Sequence, residues 1–173
     1  METLLKRLQT VANIAIICVS ILLAYVIIKN FILNPPNSKS SKESIKVGSK
    51  VPLSEIDWQK NGRTVLLVLS PTCRFCNESG PFYSKLSQML STQKTAALVA
   101  VFPKNINDGP AYLQNMGVSV NEVKQVALDT LGVKGTPTVI IADKAGEVVG
   151  VWFGKLSSDQ EEVILEQLQA APA

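Results

Sequence analysis

TVLLVLSPTCRFC (residues 64–76) is the stretch from which the fold of this 173-residue chain can be predicted. Its first six residues are apolar or β-branched without polar alternation, which is typical of a short strand buried on both faces. Apolar side chains recur at helical spacing between residues 82 and 90, so a helix follows. Two cysteines, Cys73 and Cys76, therefore lie where a buried strand leads into a helix.

The remainder of the chain continues this alternation of strands and helices. The order β-α-β-α-β-β-α predicts an α/β fold, in which a central mixed sheet carries helices on both faces. The further predicted elements are a strand at 95–102, a helix at 109–116, strands at 138–142 and 147–153 joined by a turn, and a final helix opened by a capping box at Ser158 and Glu161.

Composition narrows the possible chemistry. The chain has three cysteines and no histidine, so it cannot form a Ser-His or Cys-His nucleophile pair by itself. Residues 47–173 hold eleven basic and twelve acidic side chains, whereas residues 1–46 hold six basic and two acidic ones. The near-neutral part offers no basic face, so no nucleic-acid partner is expected.

The N-terminal segment predicts a membrane anchor. Residues 8–28 carry no charge and are almost wholly apolar from residue 11, which suffices for a helix that crosses a bilayer. No small-x-small cleavage site follows, so we expect the anchor to be retained. The predicted parts are an N-terminal flank at 1–10, a transmembrane helix at 11–33 in contact with membrane lipid, a flexible linker at 34–46 and a folded domain at 47–173.

The charges beside this anchor give conflicting indications of its orientation. Two basic residues precede the apolar run and four lysines follow it, which by the positive-inside rule favours a cytoplasmic C-terminal side. Long domains, however, cross membranes largely regardless of charge, and a basic N-terminus before an apolar run resembles an export signal. We predict a single-pass membrane protein whose C-terminal domain lies outside the cytoplasm, in a periplasm or equivalent compartment.

The C-x-x-C spacing predicts a redox pair. Unpaired N–H groups at a helix N-terminus stabilise a thiolate, so Cys73 is the expected nucleophile and Cys76 the resolving cysteine. If Cys73 and Cys76 were instead two ligands of a zinc ion, the site would need two more ligands, usually Cys or His. The chain has no histidine, and its third cysteine, Cys18, lies within the apolar run. No metal is expected. A static structural disulfide stays open as an alternative.

The strand, the SPTCRFC motif, the following helix and a hairpin entered through residues 135–138 (GTPT) together resemble the thioredoxin superfamily. The opening segment VGSKVP at 47–52 is similar to that of its membrane-tethered, extracytoplasmic branch, which includes the disulfide reductases of cytochrome c maturation and redoxin-like maturation proteins. The resemblance covers residues 47–170 and implies a thioredoxin-like fold.

The resemblance also implies roles for individual residues. Cys73 and Cys76 match the redox-active pair, and Pro81 matches a proline that kinks the helix. Pro137 matches a cis-proline that packs against the disulfide, which would leave the backbone of Thr136 free to pair with a substrate strand.

Three positions bear on the redox character of the pair. Thr72 replaces the family's tryptophan before the first cysteine, and Leu67 replaces thioredoxin's buried acid, which makes efficient disulfide reduction less certain. Arg74, between the cysteines, can stabilise the thiolate by its charge and so favour oxidising character, although a solvated surface arginine is an equal interpretation.

The sequence thus predicts a membrane-tethered thiol-disulfide oxidoreductase that needs no cofactor beyond its own redox-active disulfide. Its expected partners are protein thiols or disulfides outside the cytoplasm, with apocytochrome c and an amine dehydrogenase subunit as candidates, and a membrane electron donor. The alternatives are a peroxiredoxin-like peroxidase, whose Pro-x-x-x-Thr-x-x-Cys motif is absent around Cys73, and a tethered binding module with a structural disulfide.

Overall fold

The computed structural model describes residues 16–22, 25 and 44–170. The chain divides into two units, Met1–Ser41 and Lys42–Ala173. Residues 16–22 are helical, with exposed and mostly apolar side chains. Within the described residues, no helix combines the length and the apolar character needed to cross a bilayer. The predicted flank, most of the predicted anchor and most of the predicted linker lie outside the described residues.

The second unit is an α/β domain, and it already includes Ile45, whose side chain is buried and whose N–H donates to the carbonyl of Gly132. Its elements in chain order are α1 (Trp58–Asn61), β1 (Thr64–Val68), α2 (Arg74–Glu78), α3 (Gly80–Gln93), β2 (Ala97–Phe102), α4 (Gly109–Asn115), β3 (Glu122–Gln125), β4 (Thr138–Ala142), β5 (Val148–Phe153) and α5 (Ser158–Gln169).

A single mixed sheet has the strand order β3-β2-β1-β4-β5. The central strand β1 runs parallel to β2 and antiparallel to β4, which confirms the predicted mixed sheet. In the antiparallel pair, Val68 at the end of β1 lies opposite Thr138 at the start of β4. This register brings the loop after β1, which carries both cysteines, beside the loop before β4.

Side chains of β1 alternate between two cores because successive residues of a strand point to opposite faces. Val65 and Leu67 face a cluster to which α2, α3, α4 and α5 all contribute buried side chains. Leu66 and Val68 face the other cluster, which contains buried residues of the segments 45–56 and 131–133.

The expectation of helices on both faces is therefore only half right. On the second face, the described residues contribute a single helical turn, through Trp58 of α1. The chain steps in one direction from β1 to β2 to β3, and both parallel connections are expected to be right-handed. Two right-handed crossovers in the same direction place their helices on the same side of a sheet.

The structure also contains one strand that the sequence did not predict, and it corrects one local prediction. The short edge strand β3 was not predicted, because its sequence EVKQ is polar and such residues are depleted in strands. The capping box of α5 is formed by Ser157 and Gln160, one residue earlier than predicted. Ser157 has the extended backbone that an N-cap requires, whereas Ser158 is already helical.

We predict that Gly109→Ala destabilises the domain. A Cβ at Gly109 would lie 2.8 Å from a ring atom of Phe102, whose side chain is completely buried, so the ring would have to shift within a packed core. Overpacking of this kind costs about 1–3 kcal/mol, measurable as a lower free energy of unfolding in urea. Gly135→Ala is the matched control, because nothing lies within 4 Å of its added Cβ. Equal stability of the two variants would contradict the close packing of α4 on β2.

Candidate active site

Cys73 occupies the N-cap position of α2. Its backbone is extended, with φ −86° and ψ 113°, and the N–H of Cys76 donates a hydrogen bond to its Sγ over 3.3 Å. Cys73 is partly exposed, whereas Cys76 is completely buried, and both are free thiols. The pair therefore has an accessible sulfur at the surface and a second sulfur one helical turn further in.

The loop before β4 forms the second wall of the site. The Thr136–Pro137 peptide bond is cis, as predicted. The Cys73 thiol donates to the carbonyl oxygen of Thr136 over 3.3 Å, although 63 residues separate the two in sequence. This contact follows from the pairing of β1 with β4, which aligns the two loops. Cys73, Cys76, Thr136 and Pro137 are thus brought together.

The two thiols differ in acidity. Partial burial by itself would raise the pKa of Cys73, but hydrogen bonds from the side chains of Cys76 and Thr136 and from the backbone of Cys76 and Phe75 outweigh it, and this pKa is lowered. Burial, followed by the hydrogen bond with Cys73, raises the pKa of Cys76 to about 12. A lowered pKa supplies the thiolate that attacks a disulfide, so Cys73 has the properties of the nucleophile.

Arg74 forms an ion pair on the exposed side of α2. Its Nε donates to Oε1 of Glu78 over 2.7 Å, and Lys155 Nζ donates to Oε2 of the same carboxylate over 2.7 Å. These contacts, first with Lys155 and then with Arg74, lower the pKa of Glu78. The charge of Arg74 is therefore shared with Glu78, and its effect on Cys73 stays a prediction.

The hydroxyl of Thr72 is within 3.1 Å of the hydroxyl of Ser70, so these two side chains form a hydrogen bond on the loop before Cys73. Pro81 lies in the first turn of α3, after the helix is interrupted at Ser79. The interruption lies next to the position at which the resemblance places a kink, and the kink itself stays a prediction. The contribution of Thr72 to the redox character stays a prediction.

Sequence reasoning missed a polar contact behind the cysteines. The Tyr112 hydroxyl of α4 donates to Oδ1 of Asn77, the residue after Cys76, over 2.8 Å. Burial, together with the negative charge of the two cysteines, raises the pKa of Tyr112 to about 12. The only available signal was the predicted helix at 109–116, which says nothing about where its tyrosine lies. Among the described residues, no group of three or more Cys, Asp or Glu could hold a metal ion.

We predict that Glu78→Gln lowers the pKa of Cys73 further. The substitution removes a negative charge from the helix that begins at Cys73, and it releases Arg74 and Lys155 from their shared partner. The shift should be a few tenths of a pH unit, because solvent screens exposed charges. Thiolate absorbance of the reduced protein against pH measures it. Glu147→Gln, an exposed position beside the turn between β4 and β5, is the control; an unchanged or raised pKa in Glu78→Gln contradicts the expectation.

A family model described as a thioredoxin-like domain matches residues 54–169. No curated protein matches this sequence. Solved structures with a similar fold include the thioredoxin domain of a thiol-disulfide oxidoreductase from Bacteroides vulgatus, with a TM-score of 0.58 and 17% identity over 73% of this chain and 100% of that one. A structure described as the thiol:disulfide interchange protein DsbE from Chlorobium tepidum gives a TM-score of 0.58 at 20% identity, over 72% and 96% of the two chains.

A thiol-disulfide isomerase from Corynebacterium glutamicum gives a TM-score of 0.53 at 16% identity, over 75% of this chain and 96% of that one. At these identities the likeness concerns the fold. The family match covers two thirds of the chain and includes both cysteines and the Thr136–Pro137 loop. It supports the sequence-based prediction of an oxidoreductase, and it shows that this chain belongs to the thioredoxin-like family.

Proposed function

We propose that this protein is a membrane-tethered thiol-disulfide oxidoreductase that exchanges disulfides with protein substrates outside the cytoplasm. The observation that carries the proposal is the arrangement of the two thiols. Cys73 is partly exposed, its pKa is lowered, and its sulfur accepts a hydrogen bond from the N–H of Cys76 at a helix N-terminus. Cys76 is buried, and its pKa is raised. A purely structural bridge does not need this difference in exposure and acidity.

The exchange proceeds in two thiol-disulfide exchange steps. The Cys73 thiolate attacks one sulfur of a substrate disulfide, so that a mixed disulfide forms and the second substrate sulfur leaves as a thiolate. Cys76 then loses its proton and attacks Cys73 Sγ, which releases the first substrate sulfur and leaves a Cys73–Cys76 disulfide. Two electrons pass to the substrate, and a membrane dithiol donor returns them. The reverse sequence oxidises a substrate dithiol.

Thr136 is proposed to hold the substrate during these steps. Its carbonyl lies next to Cys73 Sγ, and within the described residues its N–H makes no hydrogen bond to another backbone group. An extended substrate segment could pair with this backbone and so present its sulfur to Cys73. The cis-proline loop would then align the attacking and attacked sulfurs.

The membrane tether is supported by the uncharged run at residues 8–28. Its described part, residues 16–22, is helical with large apolar side chains that are each more than half exposed, as expected of a surface covered by lipid. Substrates in this compartment would be cysteine-containing proteins under maturation, such as apocytochrome c or an amine dehydrogenase subunit.

Trapping of mixed disulfides tests the proposal. Cys76→Ser removes the resolving thiol, so substrates should remain attached to Cys73 and appear as reducible adducts of the full-length protein on gels. Cys18→Ser in the same background is the control, and it should leave the adducts unchanged. We expect the trapped partners to be exported proteins.

Adducts that persist in Cys73→Ser with Cys76 intact would contradict the assignment of the nucleophile. A complete absence of adducts in Cys76→Ser would contradict the exchange itself. Trapped partners that are all cytoplasmic would contradict the proposed location while leaving the chemistry in place.

A further inference from the structure

A cleft of about 370 Å³ is lined by the loop whose Thr136 carbonyl contacts the sulfur of Cys73. One wall is the loop 134–138, the other is the end of β5, where Phe153 and Gly154 lie, and Ser44 completes the lining. The Gly154 N–H donates to the Pro137 carbonyl over 2.8 Å, which holds the two walls together. Since Thr136 lines the cleft and its carbonyl contacts Cys73 Sγ, a segment that binds along Thr136 comes close to the nucleophile.

The side chain of Phe153, which lines the cleft, is exposed to solvent. Phe153 is 51% exposed, at the end of an edge strand of the sheet. Phe75, between the two cysteines, is 53% exposed. Exposed rings offer apolar area for a partner to bury. This favours a substrate segment with a large apolar side chain near its cysteine.

The cleft carries positive charge. Lys134 is the only charged residue among those that line it, and it is exposed and makes no ion pair with a described residue. Lys155 directly follows Gly154 on the opposite wall, and it shares the single carboxylate of Glu78 with Arg74. Lys134 is therefore the charged side chain that a segment in the cleft meets directly, and Lys155 is a second cation next to the wall formed by Gly154.

We propose that this cleft selects protein segments that carry a carboxylate and a large apolar side chain within a few residues of the reacting cysteine. Lys134 attracts the carboxylate and Phe153 contacts the apolar side chain. The inference rests on the proposed disulfide exchange and names the class of substrate for that same site. It follows from charge complementarity, because an anionic segment neutralises the excess charge of the walls.

Synthetic peptides test this selection with the full-length reduced protein in detergent. Each peptide carries phenylalanine and one cysteine joined through a disulfide to uncharged thiopyridine, and the set differs only in Glu, Gln or Lys two residues from the cysteine. Release of thiopyridone gives the rate. At low salt the Glu peptide should react roughly three to ten times faster than the Lys peptide, and salt should reduce this ratio.

Lys134→Glu should abolish or invert the preference. The matched control is Lys144→Glu, which makes the same change of net charge in the turn between β4 and β5, at the end of β4 opposite the cleft. This control should keep the preference for the Glu peptide. Phe153→Ser should slow the reaction of the phenylalanine peptide relative to a peptide with glycine in its place.

The outcomes separate this inference from the function on which it rests. Equal rates for the Glu, Gln and Lys peptides would overturn the inference while thiopyridone release upheld exchange chemistry. A loss of preference that is equal in Lys134→Glu and Lys144→Glu would overturn the assignment to the cleft. No thiopyridone release from any peptide would overturn the proposed function itself.

Discussion

The hydrogen bond from the Cys76 N–H to Cys73 Sγ, 3.3 Å long, is the interaction on which the active site depends. It can form only if a helix begins at Cys73, because only the first N–H groups of a helix lack partners within it. The same bond places Cys76 one turn deeper, inside the core beneath the exposed sulfur. Accessibility, thiolate stability and the position of the resolving thiol therefore have a common origin in the start of α2.

The sheet supplies the second requirement, which is a partner loop beside that helix start. The register that sets Val68 opposite Thr138 brings the Thr136 carbonyl to the Cys73 thiol. The core beneath the site is apolar, and Leu67 is fully buried where thioredoxin has an acid. Burial keeps the pKa of Cys76 high, so we expect its attack on the mixed disulfide to be slower than the attack by Cys73.

Patterns within single segments made much of this predictable. The unbroken apolar run before SPTCRFC indicated a strand buried on both faces, and β1 is fully buried along its length. The resemblance of the GTPT motif to the thioredoxin superfamily implied the cis-proline loop, which forms the second wall of the site. What could not be predicted depends on distant packing or on weak local preferences. The strand β3 is short and polar, the Tyr112–Asn77 contact joins two helices, and the helix-poor second face follows from the direction of the crossovers.

The most direct test of this account is the pH dependence of alkylation of each cysteine in the reduced protein, with the labelled sites identified by peptide mapping. We expect Cys73 to react first, with a half-maximal rate at a pH below the value of about 8.5 that is usual for a free cysteine. Cys76 should resist labelling until much higher pH, because burial raises its pKa to about 12. Faster labelling of Cys76, or a half-maximal rate for Cys73 at or above the ordinary thiol value, would contradict the assignment of nucleophile and resolving cysteine.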